Sequence, residues 1–133
     1  MPGAPAANNP SVNTPNQNYT VPQLMYITKL TPNKEVITTP DGKPFAFTTN
    51  MQVSPQATAD AKKLQTVLNI LGFTVSDTGP GSIGKEIERF GPLTRAALIR
   101  FQIANNIKPS VGFFGPVTRS RINLLIEAAV LGK

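Results

Sequence analysis

Glu86 and Glu88 are the most closely spaced carboxylates in the chain, and paired carboxylates are the usual equipment for glycosidic cleavage. That chemistry needs two carboxyl groups held across a sugar, with one kept protonated by an apolar setting. Two glutamates one residue apart in a glycine-rich stretch, flanked by Lys85 and Arg89, read instead as solvated charges. Asp60 reads as a first-turn helix charge and Asp77 as a turn residue. The 133 residues contain no Cys and no His, so disulfides and Ser-His or Cys-His nucleophiles are excluded, and ordinary zinc or haem sites lose their usual ligands. The expectation is a protein without catalytic residues, metal or cofactor.

Binding chemistry has more candidates. Lys and Arg number 13 against 7 Asp and Glu, a net charge of +6, which favours acidic polymers or anionic surfaces without choosing among them. Arg89, Arg95, Arg100, Arg119 and Arg121 invite a nucleic-acid reading, but their spacing does not build one recognition face. Arg95 and Arg119 are more simply repeated features that pair with helix ends or Glu. Recognition of a glycan or peptide wants a shallow groove with an exposed aromatic and a few hydrogen-bonding groups. Phe113 is the candidate aromatic, with Arg89, Asn105 and Asn106 as candidate polar contacts. The plainer reading packs Phe113 under the 74–89 loop, because most aromatics are core.

These residues sit around a motif that occurs twice, Phe90-Gly91-Pro92-Leu93-Thr94-Arg95 and Phe114-Gly115-Pro116-Val117-Thr118-Arg119, at an offset of 24. Each copy reads as a loop-to-helix start. Gly stands at the N-cap, and Pro at the first helical position loses no needed N–H. Thr94 or Thr118 in the first turn is placed to bond open backbone groups. Phe90 and Phe114 are expected beneath the helices they open. Phe113 aligns with Arg89, a position that must tolerate solvent. The two glycines are equivalent in this reading, so a β-branched residue at either should be destabilising.

Leu64-Gln65, Leu68 and Leu71-Gly72-Phe73, then the first Phe-Gly-Pro-x-Thr, Ala97-Leu98, Phe101-Gln102 and the second Phe-Gly-Pro-x-Thr, together resemble the small helical peptidoglycan-binding domain of bacterial cell-wall hydrolases and surface proteins. The resemblance spans about residues 55–131. It implies peptidoglycan, or another wall polymer, as partner and an extracytoplasmic place of action. One feature departs from the family pattern: the Asp of the usual Asp-Gly-x-Phe/Tyr-Gly is missing from both copies, where Ile87-Glu88-Arg89 and Val111-Gly112-Phe113 stand instead.

The elements that must position these residues are a mainly α fold. Helices are expected at residues 54–71, opened by Ser54-Pro55 and stopped by Gly72, at 92–105, and at 116–131. Ala61, Leu64, Leu68 and Leu71 face inward on the first, and Leu93, Ala97, Phe101 and Ala104 on the second. The loop at 74–89, broken by Gly79, Pro80, Gly81 and Gly84, is long enough to suggest binding. Residues 19–53 read as a small β-meander with strands at 24–30, 35–39 and 45–49 around a Pro40-Asp41-Gly42 turn. Residues 1–18 carry no charge and read as a flexible or assembly arm.

The organisation expected is therefore an arm at 1–18, a β-rich extension at 19–53, and a compact three-helix domain on a duplicated repeat at 54–133. Residues 124–131 are apolar nearly all round, which calls for a cover, either the meander or a second copy of the chain. That feature, the strand edges and the arm lead to a second reading: a self-associating structural subunit of a surface assembly or phage virion. No apolar run is long enough to span a membrane. Met1-Pro2-Gly3-Ala4-Pro5 lacks the features of a signal peptide, so a processed form or another export route is expected.

Overall fold

The computed structural model describes residues 19–132. Five α-helices follow in order: α1 Val21–Leu30, α2 Lys34–Ile37, α3 Ala59–Leu71, α4 Pro92–Ala104 and α5 Pro116–Leu131, with a 3-10 turn at Thr31–Asn33 between α1 and α2. The chain is mainly helical as expected, and α3, α4 and α5 are the three helices read from the repeat.

The β-meander does not form. Among the described residues there are only isolated bridges, Thr38 with Pro44, Met51 with Phe114 and Ala57 with Arg89. The stretch read as the first strand is α1, and its start explains why. Thr20 and Gln23 form a capping box: the Gln23 N–H donates to Thr20 Oγ1 at 3.2 Å, and the Thr20 N–H donates to Gln23 Oε1 at 2.9 Å. Pro22 occupies the first turn. This Thr-x-x-Gln signal, together with Tyr26, Ile27 and Leu30 recurring on one face, outweighs the β-branched content of the segment. The second supposed strand begins as the single turn α2, which buries Ile37. The Pro-Asp-Gly turn does form, with Gly42 at φ 84° and its N–H donating to Thr39 O at 2.8 Å. The third supposed strand, around Phe47, is extended but pairs with a side chain: Asn123 of α5 accepts from Phe47 N at 2.8 Å and donates to Phe47 O at 3.0 Å.

Residues 19–53 are consequently part of the main core rather than an extension of it. Leu30, Ile37 and Phe47 join Leu64, Leu68, Phe101, Phe114 and Ile122 in one buried cluster. Phe47 stands edge-on to Phe114 with centroids 5.1 Å apart, and Tyr26 lies 5.9 Å from Phe73 and 6.3 Å from Phe101. α1 and α2 pack on α5, so the apolar end of that helix is covered by its own chain. Ile126, Ala128 and Ala129 are buried there, and Leu124 and Leu131 remain partly exposed. The strand edges and the bare helix tip on which the assembly reading leaned are thus absent among the described residues. The arm at 1–18 lies outside them. No helix among the described residues is long and apolar enough to cross a membrane.

Two further expectations shift. α3 starts at Thr58, whose Oγ1 accepts from Ala61 N at 3.1 Å, and not at Ser54-Pro55. Ser54 N donates to Phe90 O and Thr58 N to Glu88 O, and these bonds hold the intervening segment out of helix. In α4, Ala97 and Phe101 are buried, but Leu93 is 56% exposed and Ala104 is exposed. Thr94, Leu98 and Gln102 take the inner face instead, because two of them have polar partners there.

Integration of residues 19–53 has a measurable consequence. Leu30→Ala, at 0% exposure, is expected to lower global stability by about 2–5 kcal/mol. Met25→Ala, at 56% exposure, is expected to stay within about 0.5 kcal/mol. Urea melts of the two variants check this, and an unchanged midpoint for Leu30→Ala would make the N-terminal helices a separate unit.

Candidate ligand-binding site

Each repeat loop is held by one buried glutamine from the preceding helix. Gln65 of α3 is 1% exposed. Its Nε2 donates to Arg89 O at 2.8 Å and to Thr94 Oγ1 at 2.9 Å, and its Oε1 accepts from Ile87 N at 2.9 Å. Gln102 of α4 repeats the arrangement: Nε2 donates to Phe113 O at 2.9 Å and to Thr118 Oγ1 at 3.1 Å, and Oε1 accepts from Gly112 N at 2.8 Å. Thr94 and Thr118 therefore receive the glutamine amide rather than cap the open helix ends, and Gly91 and Gly115 cap without a side-chain bond. Phe90 and Phe114 are buried as expected. The glutamines were legible as part of the repeated pattern, but not their role; the signal was an amide falling on an otherwise apolar helix face.

Against these two loops runs the segment at 51–58, tied to Phe114 through Met51, to Phe90 through Ser54 and to Glu88 through Thr58. It forms one wall of a cleft of about 350 Å³, lined by residues 50–56 with Thr58, Phe90 and Phe113. Phe113 is 39% exposed. Its ring also borders a smaller, apolar cleft of about 180 Å³ beside Pro109, Val111 and Val117, so it separates the two. The ring lies over Gly115, where an added Cβ would come within 2.7 Å of Phe113 Cε2. Nothing stands within 4 Å of the corresponding position at Gly91. The two glycines, equivalent by pattern, differ in space because Arg89 replaces Phe113 in the first copy.

The remaining candidates do not gather around Phe113. Arg89 is exposed and contributes its carbonyl to Gln65, and neither Arg89, Asn105 nor Asn106 lines either cleft. Asn105 caps α4, its Nδ2 donating to Phe101 O at 2.8 Å and its carbonyl accepting from Arg121 at 3.1 Å. Asn106 takes φ 56°, the left-handed conformation that asparagine tolerates. The long loop is folded back by Asn69, which donates to Gly81 O and Glu86 Oε2 and accepts from Val75 N. Glu86 is thus engaged in holding that loop, and its backbone neighbour Gly84 N also donates to it at 3.3 Å. The arginines are dispersed: Arg100 donates to Thr74 O, Arg119 to Asn50 Oδ1 and Arg121 to the end of α4. Among the described residues no group of acidic side chains is placed to hold a metal ion. Away from the clefts, burial and then the charge of Glu127 hold the Tyr19 hydroxyl above its usual range.

The fold and cleft define a small helical domain built from two copies of one loop-helix unit. Residues 58–122, just under half of the chain, match the family model described as "Putative peptidoglycan binding domain", so the family resemblance read from the repeats is shown for that stretch. It runs from the N-cap of α3 into the middle of α5 and includes both glutamines and both Phe-Gly-Pro motifs. No curated protein and no solved structure matches the chain.

Two outcomes follow from this geometry. Gln102→Ala leaves the Gly112 N–H and Phe113 carbonyl without their partner, and is expected to cost about 1–3 kcal/mol in a denaturant melt. Gly115→Ala is expected to displace the Phe113 ring, seen as large chemical-shift changes of its ring protons, whereas Gly91→Ala leaves those signals in place; indistinguishable spectra would refute the packing of Phe113 over Gly115.

Proposed function

We propose that this protein is a non-catalytic cell-wall binding module that acts outside the cytoplasm and takes peptidoglycan in the cleft bordered by Phe113. The observation that carries the reading is an aromatic ring left 39% exposed on a cleft framed by both repeat loops, within a domain that matches the peptidoglycan-binding family. A rigid aromatic beside hydrogen-bonding side chains is the usual composition of a shallow recognition site. The non-catalytic part of the proposal rests on the carboxylates. Glu86 is committed to Asn69 and the loop backbone, and Glu88 is exposed, so neither has the apolar setting that keeps a general acid protonated.

A second reading, a structural subunit of a surface assembly or phage particle, draws on Val21, Leu24 and Met25, which are 70%, 41% and 56% exposed at the start of α1. An exposed apolar stripe of that kind is a common contact surface.

Sedimentation with purified, protein-free peptidoglycan sacculi at physiological salt separates the two. The wall-binding reading expects retention, and expects Phe113→Ala to weaken it by at least about fivefold, or 1 kcal/mol, with the fold intact. Retention no greater than that of an unrelated protein of equal charge would overturn it in favour of the structural role.

A further inference from the structure

The side chains around the cleft at residues 50–58 have a property that the cleft beside Pro109, which includes Lys108, does not share. In a chain of net charge +6, none of the residues lining the 50–58 cleft is ionisable. The polar groups in the lining are the amides of Asn50, Gln52 and Gln56 and the hydroxyls of Ser54 and Thr58, alongside the ring of Phe113. We propose that this cleft takes the uncharged sugar backbone of the wall polymer, a chain of N-acetylated hexosamines, and not its carboxylate-bearing peptide stems. The inference rests on the wall-binding reading above and specifies which part of the polymer is held.

The hydrogen-bond inventory supports it. Asn50 Oδ1 accepts from Arg119 Nε at 3.1 Å, which leaves the Asn50 Nδ2 group to donate. That contact also commits the Nε of the bordering guanidinium to an amide of this chain. Ser54 Oγ accepts from Gln56 N at 3.1 Å and Thr58 Oγ1 from Ala61 N at 3.1 Å, so each hydroxyl keeps its proton to donate outward. Gln52 and Gln56 are exposed and supply both donors and acceptors. These are neutral partners for hydroxyl, ring and acetamido oxygens and for acetamido N–H groups.

Recognition of carboxylates ordinarily recruits arginine or lysine, because charge-assisted bonds are about twice as strong as neutral ones. The chain has 13 such residues and places none in this lining. Phe113, with Val53 and Pro55 in the same lining, supplies apolar surface suited to the C–H face of a pyranose ring. A volume of about 350 Å³ lies at the small end of ligand sites, about 300–1,000 Å³, and suits a short stretch of a longer chain.

The test is an NMR titration of the full chain with a soluble oligomer of β-linked N-acetylglucosamine and, separately, with a free stem peptide carrying its carboxylates. Saturable shifts at the Gln52 and Gln56 side-chain amides and at Phe113 are expected with the oligomer. Its Kd should change less than about twofold between low and high salt, since no ion pair is screened. Gln56→Ala should weaken the oligomer by about three- to tenfold, the effect of one lost hydrogen bond, with the amide spectrum otherwise unchanged. If sacculi retain the protein while the oligomer leaves the spectrum unmoved, or while the stem peptide saturates the site in a salt-dependent way, the sugar assignment is overturned and wall binding stands. If sacculi do not retain it, both fall.

Discussion

A primary amide buried away from water must find partners for both its N–H groups and its carbonyl, and two such amides organise this protein. Gln65 and Gln102 are each 1% exposed, and each finds a backbone carbonyl and a backbone N–H in the loop that leads to the next helix and a threonine hydroxyl in that helix's first turn. Leaving any of these unpaired in the interior would be costly. The loops therefore have few alternative paths, and the Phe-Gly-Pro turns are set before the helices they begin. The positions of Phe90 and Phe114 under those helices, and of Phe113 outside them, follow from this constraint.

The same solution recurs elsewhere in the chain. Asn69 holds the 74–89 loop through three bonds, and Asn123 pairs with both backbone groups of Phe47. In a chain whose described residues form no sheet, helix-borne amides do for extended segments what a neighbouring strand would do, satisfying backbone groups that would otherwise be buried alone. Residues 51–58 cross the two loops with only the isolated bridges of Met51 to Phe114 and Ala57 to Arg89 and the backbone bonds of Ser54 to Phe90 and Thr58 to Glu88. The cleft lies along that segment, which is tied to the repeat loops at Met51, Ser54 and Thr58. Its side chains are presented by a backbone that is fixed without being covered.

The repeat shares its glutamine bonds to the equivalent carbonyl and threonine, differs by one residue in the N–H that each glutamine accepts, and is asymmetric in its surface. Gln65 precedes Phe90 by 25 residues and Gln102 precedes Phe114 by 12, so the first loop carries extra length, which Asn69 folds back. The residue before each Phe-Gly is Arg89 in one copy and Phe113 in the other. Both give their carbonyl to a glutamine, yet only Phe113 lays its side chain over a glycine and into the clefts. Duplication thus accounts for the scaffold, and divergence at one position for the candidate site.

What the amino-acid sequence determined by itself was what local rules control. The internal duplication, the helix starts at Pro92 and Pro116, the stop at Gly72, the inward face of α3 and the family of the 58–122 stretch were all legible, because caps, prolines and apolar period act within a few residues of one another. Phe113 was singled out by comparing two copies of a motif, which is also a sequence operation. Tertiary structure decided the rest. By its β-branched residues α1 reads as a strand, and the Thr20–Gln23 box and the burial of Leu30 against α5 and α3 settle it as helix. Ser54-Pro55 looks like a helix cap until Phe90 and Glu88 claim the backbone around it. Leu93 was placed inside α4 by hydrophobicity, whereas Thr94 and Gln102 occupy that face because their partners lie on other elements. The cleft along residues 50–58 had no signature in the sequence, since its wall is held by backbone bonds from Met51, Ser54 and Thr58 to residues far along the chain, and long-range contacts of that kind leave no periodicity to read.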